Sequence, residues 1–369
     1  MSDGGSSPPA IGLRHGRFWA RLAFALALGA MGGWIFAQLR MPLPWMIGAM
    51  CVTTAAALMR APILMPQSLR GTMIAVLGTM LGSAFKPEVL DHAAKWSGSL
   101  IGLLVLIVAI GGSVVFLLMR FGGLDRPTAY FSAAPGGFSE MLMLGSSHGG
   151  DERTISLFHS VRILLTVLII PFWFRIVYGY TPGVATGLGG IADIQIADAA
   201  ILTACAIVGY VVGKRIRIPA AALVGPMTLS AAAHLSGLTQ ASPPTEIVNL
   251  AQIVIGTGVG VLFAGVDVRK MFRTMLLGAG ISIYMLVVAA AFALVLEPLT
   301  GLPFTGLILA FSPGGLAEMT LISLALGIDT AFVSTHHLVR MVVLVIFAPL
   351  FYRLLAPKPA SSGRKAPDE

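Results

Sequence analysis

Pro135-Gly136-Gly137-Phe138-Ser139-Glu140-Met141 returns 178 residues later as Pro313-Gly314-Gly315-Leu316-Ala317-Glu318-Met319. Holding that offset from 135 to 175 gives 14 identical pairs in 41 positions, where unrelated apolar segments would give roughly a quarter as many. The pairs include Gly149 with Gly327, Asp151 with Asp329, His159 with His337, Arg162 with Arg340, Pro171 with Pro349 and Arg175 with Arg353. Polar identities inside apolar sequence are hard to obtain from composition. The chain therefore reads as an internal duplication.

Upstream, Leu77-Gly78-Thr79 through Gly82 and Phe85 pairs with Ile255-Gly256-Thr257 through Gly260 and Phe263 at the same offset. Arg40, Pro42, Gly48 and Met50 pair with Arg217, Pro219, Gly225 and Met227 at offset 177. Each half then carries six apolar segments: 18–38, 42–59, 69–85, 97–119, 127–148 and 154–178, and 196–213, 218–235, 247–265, 274–297, 303–326 and 330–352. Runs of about 20 apolar residues are long enough to span a hydrocarbon core of roughly 30 Å. Hydrophobic residues make up 56% of the chain and charged residues 11%, at a mean hydropathy of +0.88. A soluble domain, with about a quarter of its residues charged, cannot hide that much apolar surface. The predicted class is an all-α membrane protein, with repeats at 18–178 and 196–355 between disordered cytoplasmic tails at 1–17 and 356–369. No separate soluble domain fits between or after the segments.

The formal charge of +8 does not predict a nucleic-acid partner, because the cations stand singly or in small groups between apolar runs. Cys51 and Cys205 are isolated, and the seven histidines lack an HExxH pattern. No Walker A loop and no GxGxxG after a strand appear, so no metal, cofactor or nucleotide is expected.

Cytoplasmic loops collect Lys and Arg. Six full crossings per half would place Lys214, Arg215 and Arg217, and then Arg269, Lys270 and Arg273, outside. If each Pro-Gly-Gly segment instead dips in and returns, five crossings per half remain, ten in all. The cytoplasmic side then receives those clusters with Arg14, Arg17, Arg21, Arg60, Arg70, Arg120, Arg126, Arg153, Arg353, Lys358, Arg364 and Lys365. Lys86 and Lys95, beside Glu88 and Asp91, are exceptions, with Arg40 and Arg175 at segment ends. Five crossings per half invert the second half relative to the first, an arrangement common in secondary transporters.

Proline removes a backbone donor and glycine lowers helix propensity by about 1 kcal/mol, so Pro135, Gly136, Gly137, Pro313, Gly314 and Gly315 should interrupt helices. Broken backbone at membrane depth belongs inside protein or along an aqueous cavity, and a restarted helix aims its N–H groups at an anion. The same break also makes a plain kink or hairpin tip. Glu140 and Glu318 follow at the first restarted turn, where they serve either the helix dipole or a proton or Na⁺ site. His159 with Arg162, and His337 with Arg340, stand at i and i+3 on one helix face. Each arginine needs an anionic neighbour, for which Glu140 and Glu318 are the natural candidates, so the pairs read equally as a clamp on the hairpin or as a substrate or proton site. His336 faces Phe158 in the repeat and has no symmetric role. Asp151 and Asp329 precede long apolar runs as helix caps, and Gly78 with Gly82 and Gly256 with Gly260 give the GxxxG spacing of close helix packing.

With these motifs in view the chain resembles the AbrB family of duplicated bacterial integral membrane proteins, distinct from the small DNA-binding regulators of that name. The likeness covers about residues 18–355. It implies a fold like that of ten-helix secondary transporters with inverted repeats. Labels carried in the family, ammonia monooxygenase or regulator of gene expression, do not follow from these residues, and Ala317 opposite Ser139 removes a shared hydroxyl role. The expected function is alternating-access transport of a small anionic solute across the bacterial inner membrane, with H⁺ or Na⁺ as coupling ion, both termini cytoplasmic and room for a homo-oligomer. A membrane sensor or regulator is the alternative; a membrane enzyme comes last, for want of a redox or nucleophile constellation.

The inverted arrangement predicts that cysteines placed beside Lys214 and Arg269 are labelled from the side of both termini. Labelling of 236–245 from the cytoplasm, with 269–273 protected, would overturn it.

Overall fold

The computed structural model describes residues 11–85, 94–180 and 189–355, and these form fourteen α-helices and no β-strand. The first half contains α1 (Ile11–Gln38), α2 (Pro44–Leu58), α3 (Gln67–Gly82), α4 (Ser97–Gly122), α5 (Arg126–Ala133), α6 (Phe138–Ser147) and α7 (Glu152–Tyr178). The second contains α8 (Ile196–Arg215), α9 (Ala221–Leu235), α10 (Thr245–Val261), α11 (Val268–Thr300), α12 (Phe304–Phe311), α13 (Leu316–Ala325) and α14 (Thr330–Leu355). Lys86, Glu88, Asp91, Lys358, Arg364 and Lys365, which entered the charge argument, lie outside the described residues, as do 1–10 and 356–369.

Six helices, α1, α4, α7, α8, α11 and α14, are long and apolar enough to cross a membrane. The chain is thus an all-α membrane protein. Only 22–28% of the apolar window is buried in α1, α4, α8 and α11, so their outer faces meet lipid. The windows of α7 and α14 are 67% and 56% buried, which makes these two the interior helices. They carry the His-x-x-Arg pairs.

Two boundaries differ from the hydropathy reading. Helix α1 begins at Ile11, so 11–17, expected as tail, is helical. Helix α11 begins at Val268, so Arg269, Lys270 and Arg273, expected in a loop, occupy its first turns. Asp267 starts it by accepting from the N–H groups of Arg269 and Lys270 at 3.1 and 3.4 Å. Hydropathy marks membrane depth, whereas a helix starts at its cap. Asp151 and Asp329 cap as expected: Asp151 accepts from the Thr154 N–H at 3.1 Å and Asp329 from that of Phe332 at 3.0 Å.

Helices α2, α3, α9 and α10 have 15 to 17 residues, about 22–26 Å at 1.5 Å per residue. They pack across the two halves, α3 along α9 and α10 along α2. The glycines predicted to allow close packing make both contacts. A Cβ on Gly78 would strike the Leu223 carbonyl, and one on Gly256 the Met46 carbonyl. Two of these helices, α2 and α9, enter through matching turns, with positive φ at Arg40 (48°) and Leu43 (45°) in one and at Arg217 (59°) and Ala220 (48°) in the other. Such backbone persists only where the surroundings over-determine it. At the first turn Arg175 does so, its Nη1 donating to the Arg40 carbonyl at 2.7 Å.

Packing divides the helices into two bundles. One is a row in which α1 lies on α2, α2 on α10, α10 on α3, α3 on α9 and α9 on α8. The other gathers α4 to α7 with α11 to α14. Contacts between the bundles are sparse and run chiefly from α3 to α13 and α14.

This packing predicts that Gly256→Val destroys the α10–α2 contact and removes folded protein from detergent extracts. Gly112→Ala on α4, where a Cβ meets nothing within 4 Å, should raise thermal stability by up to ~1 kcal/mol. Size-exclusion yield and melting temperature test both.

Candidate functional site

Helix α5 stops at Ala133 and α6 begins at Phe138; α12 stops at Phe311 and α13 begins at Leu316. A helix that ends inside a membrane leaves its last carbonyls without intrahelical partners. The following long helix supplies donors 28 residues on. His159 Nε2 donates to the Phe131 carbonyl at 3.0 Å and Arg162 Nη1 to that of Ala134 at 3.2 Å. In the second half His337 Nε2 donates to the Leu309 carbonyl at 2.9 Å and Arg340 Nη1 to that of Ser312 at 2.5 Å. The i, i+3 spacing of His and Arg thus matches one turn of the broken helix beside it.

The arginines do not pair with glutamate, contrary to expectation. The ion pair found among the described residues joins Arg60 and Asp267 at the exposed surface, at 3.5 Å. Two forces compete for each guanidinium, and the carbonyls at the negative end of a helix win because the carboxylates are held elsewhere. The Glu140 carboxylate folds back over Gly137, and that of Glu318 over Gly315, so that a Cβ on either glycine would collide with it. Gly136 and Gly314 leave room in the same way for Met141 and Met319, both fully buried. Each glycine of the motif accommodates one later residue of the motif, and a glutamate at the third helical position returning to the cap is a capping-box arrangement.

The halves differ in how far these groups are satisfied. Arg340 also donates through Nη2 to the Gly314 carbonyl at 2.6 Å and to His337 Nδ1 at 2.8 Å. Since His337 Nε2 is a donor, its Nδ1 is the lone-pair nitrogen that receives Arg340. Arg162 makes one such bond, and its Nε and His159 Nδ1 are buried without partners. Glu318 is 6% exposed, while Glu140 is half-buried.

A cavity of about 330 Å³ opens between the two bundles at the breaks. Pro135, Gly136, Gly137, Glu140 and Arg162 from one half line it together with Gly314, Gly315, Glu318, His337 and Arg340 from the other. His159 and Pro313 stand behind it in the core. The first N–H groups of α6 and α13 have no intrahelical acceptors and lie at this wall. Opposite them the row of helices contributes Gln67 and Arg70 from α3 and Tyr210 from α8. Sequence reasoning missed these three. Arg70, expected in a basic loop, is in the first turn of α3, and its buried Nε has no partner. One signal was available: Val248 occupies the matching place in the second half, so Arg70 is a charge that the duplication does not explain. A larger groove of about 560 Å³ on another face of α3 is lined by Leu202, Ile207 and Ile247 and holds no charged side chain. Its only side-chain polar groups are the hydroxyls of Thr72, Thr79, Thr203 and Tyr210.

Such an arrangement defines a membrane protein whose polar chamber is built on paired broken helices. A family model described as "Transition state regulatory protein AbrB" matches residues 45–356, and the chain belongs to this AbrB family. It is similar to "Uncharacterized protein YhjN" of Bacillus subtilis (strain 168), 28% identical over 357 residues, 89% of this chain and 92% of the relative. It is also similar to "Putative regulator AbrB" of Escherichia coli (strain K12), 23% identical over 350 residues, 92% of this chain and 98% of the relative. Both matches run over about 350 residues, so the chain falls with the large members of the family and not with the small DNA-binding regulators.

Removing a donor from a buried carbonyl costs about 1–3 kcal/mol. Arg340→Gln, which strips two carbonyls, should therefore lower the melting temperature in detergent more than Arg162→Gln, which strips one. The opposite order would show that Arg340 does not hold the break.

Proposed function

We propose that this protein is a secondary transporter of a small anionic solute in the bacterial inner membrane, and not an enzyme. The observation that carries this reading is the cavity. It lies where two sparsely connected bundles meet and where two helix N-termini and three arginines converge. Helix N-termini and guanidinium groups both favour an anion, and discontinuous helices at a repeat interface are the usual substrate site of such transporters. With both glutamates ionised and His337 neutral, the charged residues of the wall sum to a net positive charge.

In this reading the chain crosses the membrane ten times as two inverted repeats, each with a re-entrant Pro-Gly-Gly segment, and both termini are cytoplasmic. The reciprocal packing of α3 on α9 and α10 on α2 supports a pseudo-two-fold relation. Rocking of one bundle against the other opens the chamber to each side in turn. Glu140 and Glu318 carry the coupling ion, H⁺ or Na⁺, because a carboxylate at membrane depth costs roughly 2.5 kcal/mol or more unless paired or used. A sensing reading draws on the regulator in the family description and in the printed name of the Escherichia coli relative. In that case the chamber binds its ligand without moving it.

Reconstitution into liposomes with labelled anions, with and without proton and Na⁺ gradients, separates the two. Transport predicts gradient-dependent uptake, and binding without uptake favours sensing. Glu318→Gln should leave folded protein in the membrane but alter the pH or Na⁺ dependence of uptake. Unchanged ion dependence in both Glu318→Gln and Glu140→Gln would assign the carboxylates to helix capping.

A further inference from the structure

The transport reading treats the two halves alike, but the donors facing the chamber are not alike. Arg340 spends its guanidinium on two carbonyls and on His337. Arg162 is 4% exposed, makes one carbonyl bond, and keeps a buried Nε without a partner. Arg70 has the same deficit at Nε, and Gly258 lets its side chain pass, since a Cβ there would stand 3.0 Å from Arg70 Cδ. The two arginines come from opposite bundles, Arg162 from α7 and Arg70 from α3, and both line the chamber. Beside Arg162 lies the first turn of α6, whose cap Gly137 is covered by the returning Glu140 carboxylate, so the open donors of this wall are those of the arginines.

Each of these two guanidinium groups brings a positive charge to the chamber and has hydrogen-bonding capacity left over. A bound group with two or more oxygens and a negative charge answers both conditions, because arginine forks match carboxylate and phosphate oxygens. We propose that a compact oxyanion, carboxylate or phosphate, binds on the first-half side of the chamber between Arg70 and Arg162. Arg340 is a positioning residue for the second break and does not touch the ligand. The anion then joins the bundles: it bridges a charge on the moving wall to one on the facing wall, and the seam loosens when it leaves. This inference rests on the anion-transport reading for its purpose, but the site is defined by equilibrium binding alone.

The experiment uses the full chain purified in detergent, with inorganic phosphate, succinate and the uncharged succinamide as probes in titration calorimetry and thermal shift. The expected result is saturable binding of phosphate or of succinate, whichever the site prefers, and none of succinamide. Arg70→Gln and Arg162→Gln should each weaken that binding by tenfold or more, equivalent to ~1.4 kcal/mol. Arg70→Lys should recover part of the loss by restoring charge without the fork. Arg340→Gln should lower the melting temperature of the ligand-free protein, the outcome expected of a residue that holds the second break. Should Arg340→Gln fail to fold, the Arg70 variants decide, since Arg70 holds no carbonyl among the described residues. Wild-type affinity in Arg70→Gln, no binding of either oxyanion, or equal binding of succinamide would each overturn the proposal. Oxyanion binding that obeys these outcomes without liposome uptake leaves the site standing and removes the transport reading. Anion uptake indifferent to Arg70→Gln does the reverse.

Discussion

Backbone carbonyls at the end of a helix inside a membrane must find donors in protein, because lipid offers none. Here one solution is used twice. The breaks after Ala133 and Phe311 are each closed by a histidine and an arginine 28 residues further along, on α7 and α14. Arginine suits this place because it is permanently charged and its several donors can reach carbonyls of one frayed turn. The helix dipole there also favours a cation. Once the carbonyls hold the guanidinium groups, the glutamates return to their own helix starts, and the glycines before them become obligatory on steric grounds.

The two Pro-Gly-Gly segments share this frame and differ within it. The second half is the saturated copy: Arg340 has bonds to two carbonyls and to His337, and Glu318 is buried. The first half is the unsaturated copy, with Arg162 Nε and His159 Nδ1 lacking partners and Glu140 half-buried. A buried donor without a partner is costly, and of these groups Arg162 belongs to a side chain at the cavity wall. The unduplicated Arg70 stands across the same cavity.

The chamber also sits at the mechanical weak point of the molecule. Within the row of α1–α3 and α8–α10, helices approach closely enough that glycines at 78, 82, 256 and 260 have neighbouring backbone at the Cβ position. Between bundles the contacts are few and gather on α3, the helix that carries Arg70. Closely packed units deform little, and displacement is easiest along a sparsely packed surface. Ligand chemistry and relative motion therefore share one seam.

The sequence by itself determined the all-α membrane class, the helix breaks at 134–137 and 312–315 and the capping aspartates, because these depend on composition and local backbone chemistry. It also singled out Pro-Gly-Gly, Glu140, Glu318 and the two His-x-x-Arg pairs, since polar identities in apolar repeats are conspicuous. It erred on the partners of Arg162 and Arg340, for opposite charge suggested glutamate, whereas the competing acceptors were backbone carbonyls that no residue letter reveals. Arg70 looked like one more loop cation at a segment edge. Only the tertiary structure decided that α3 crosses to the other half and carries Arg70 to the breaks. That placement rests on glycine-permitted packing between distant segments, and such packing is a property of surfaces in contact, which local sequence pattern does not encode.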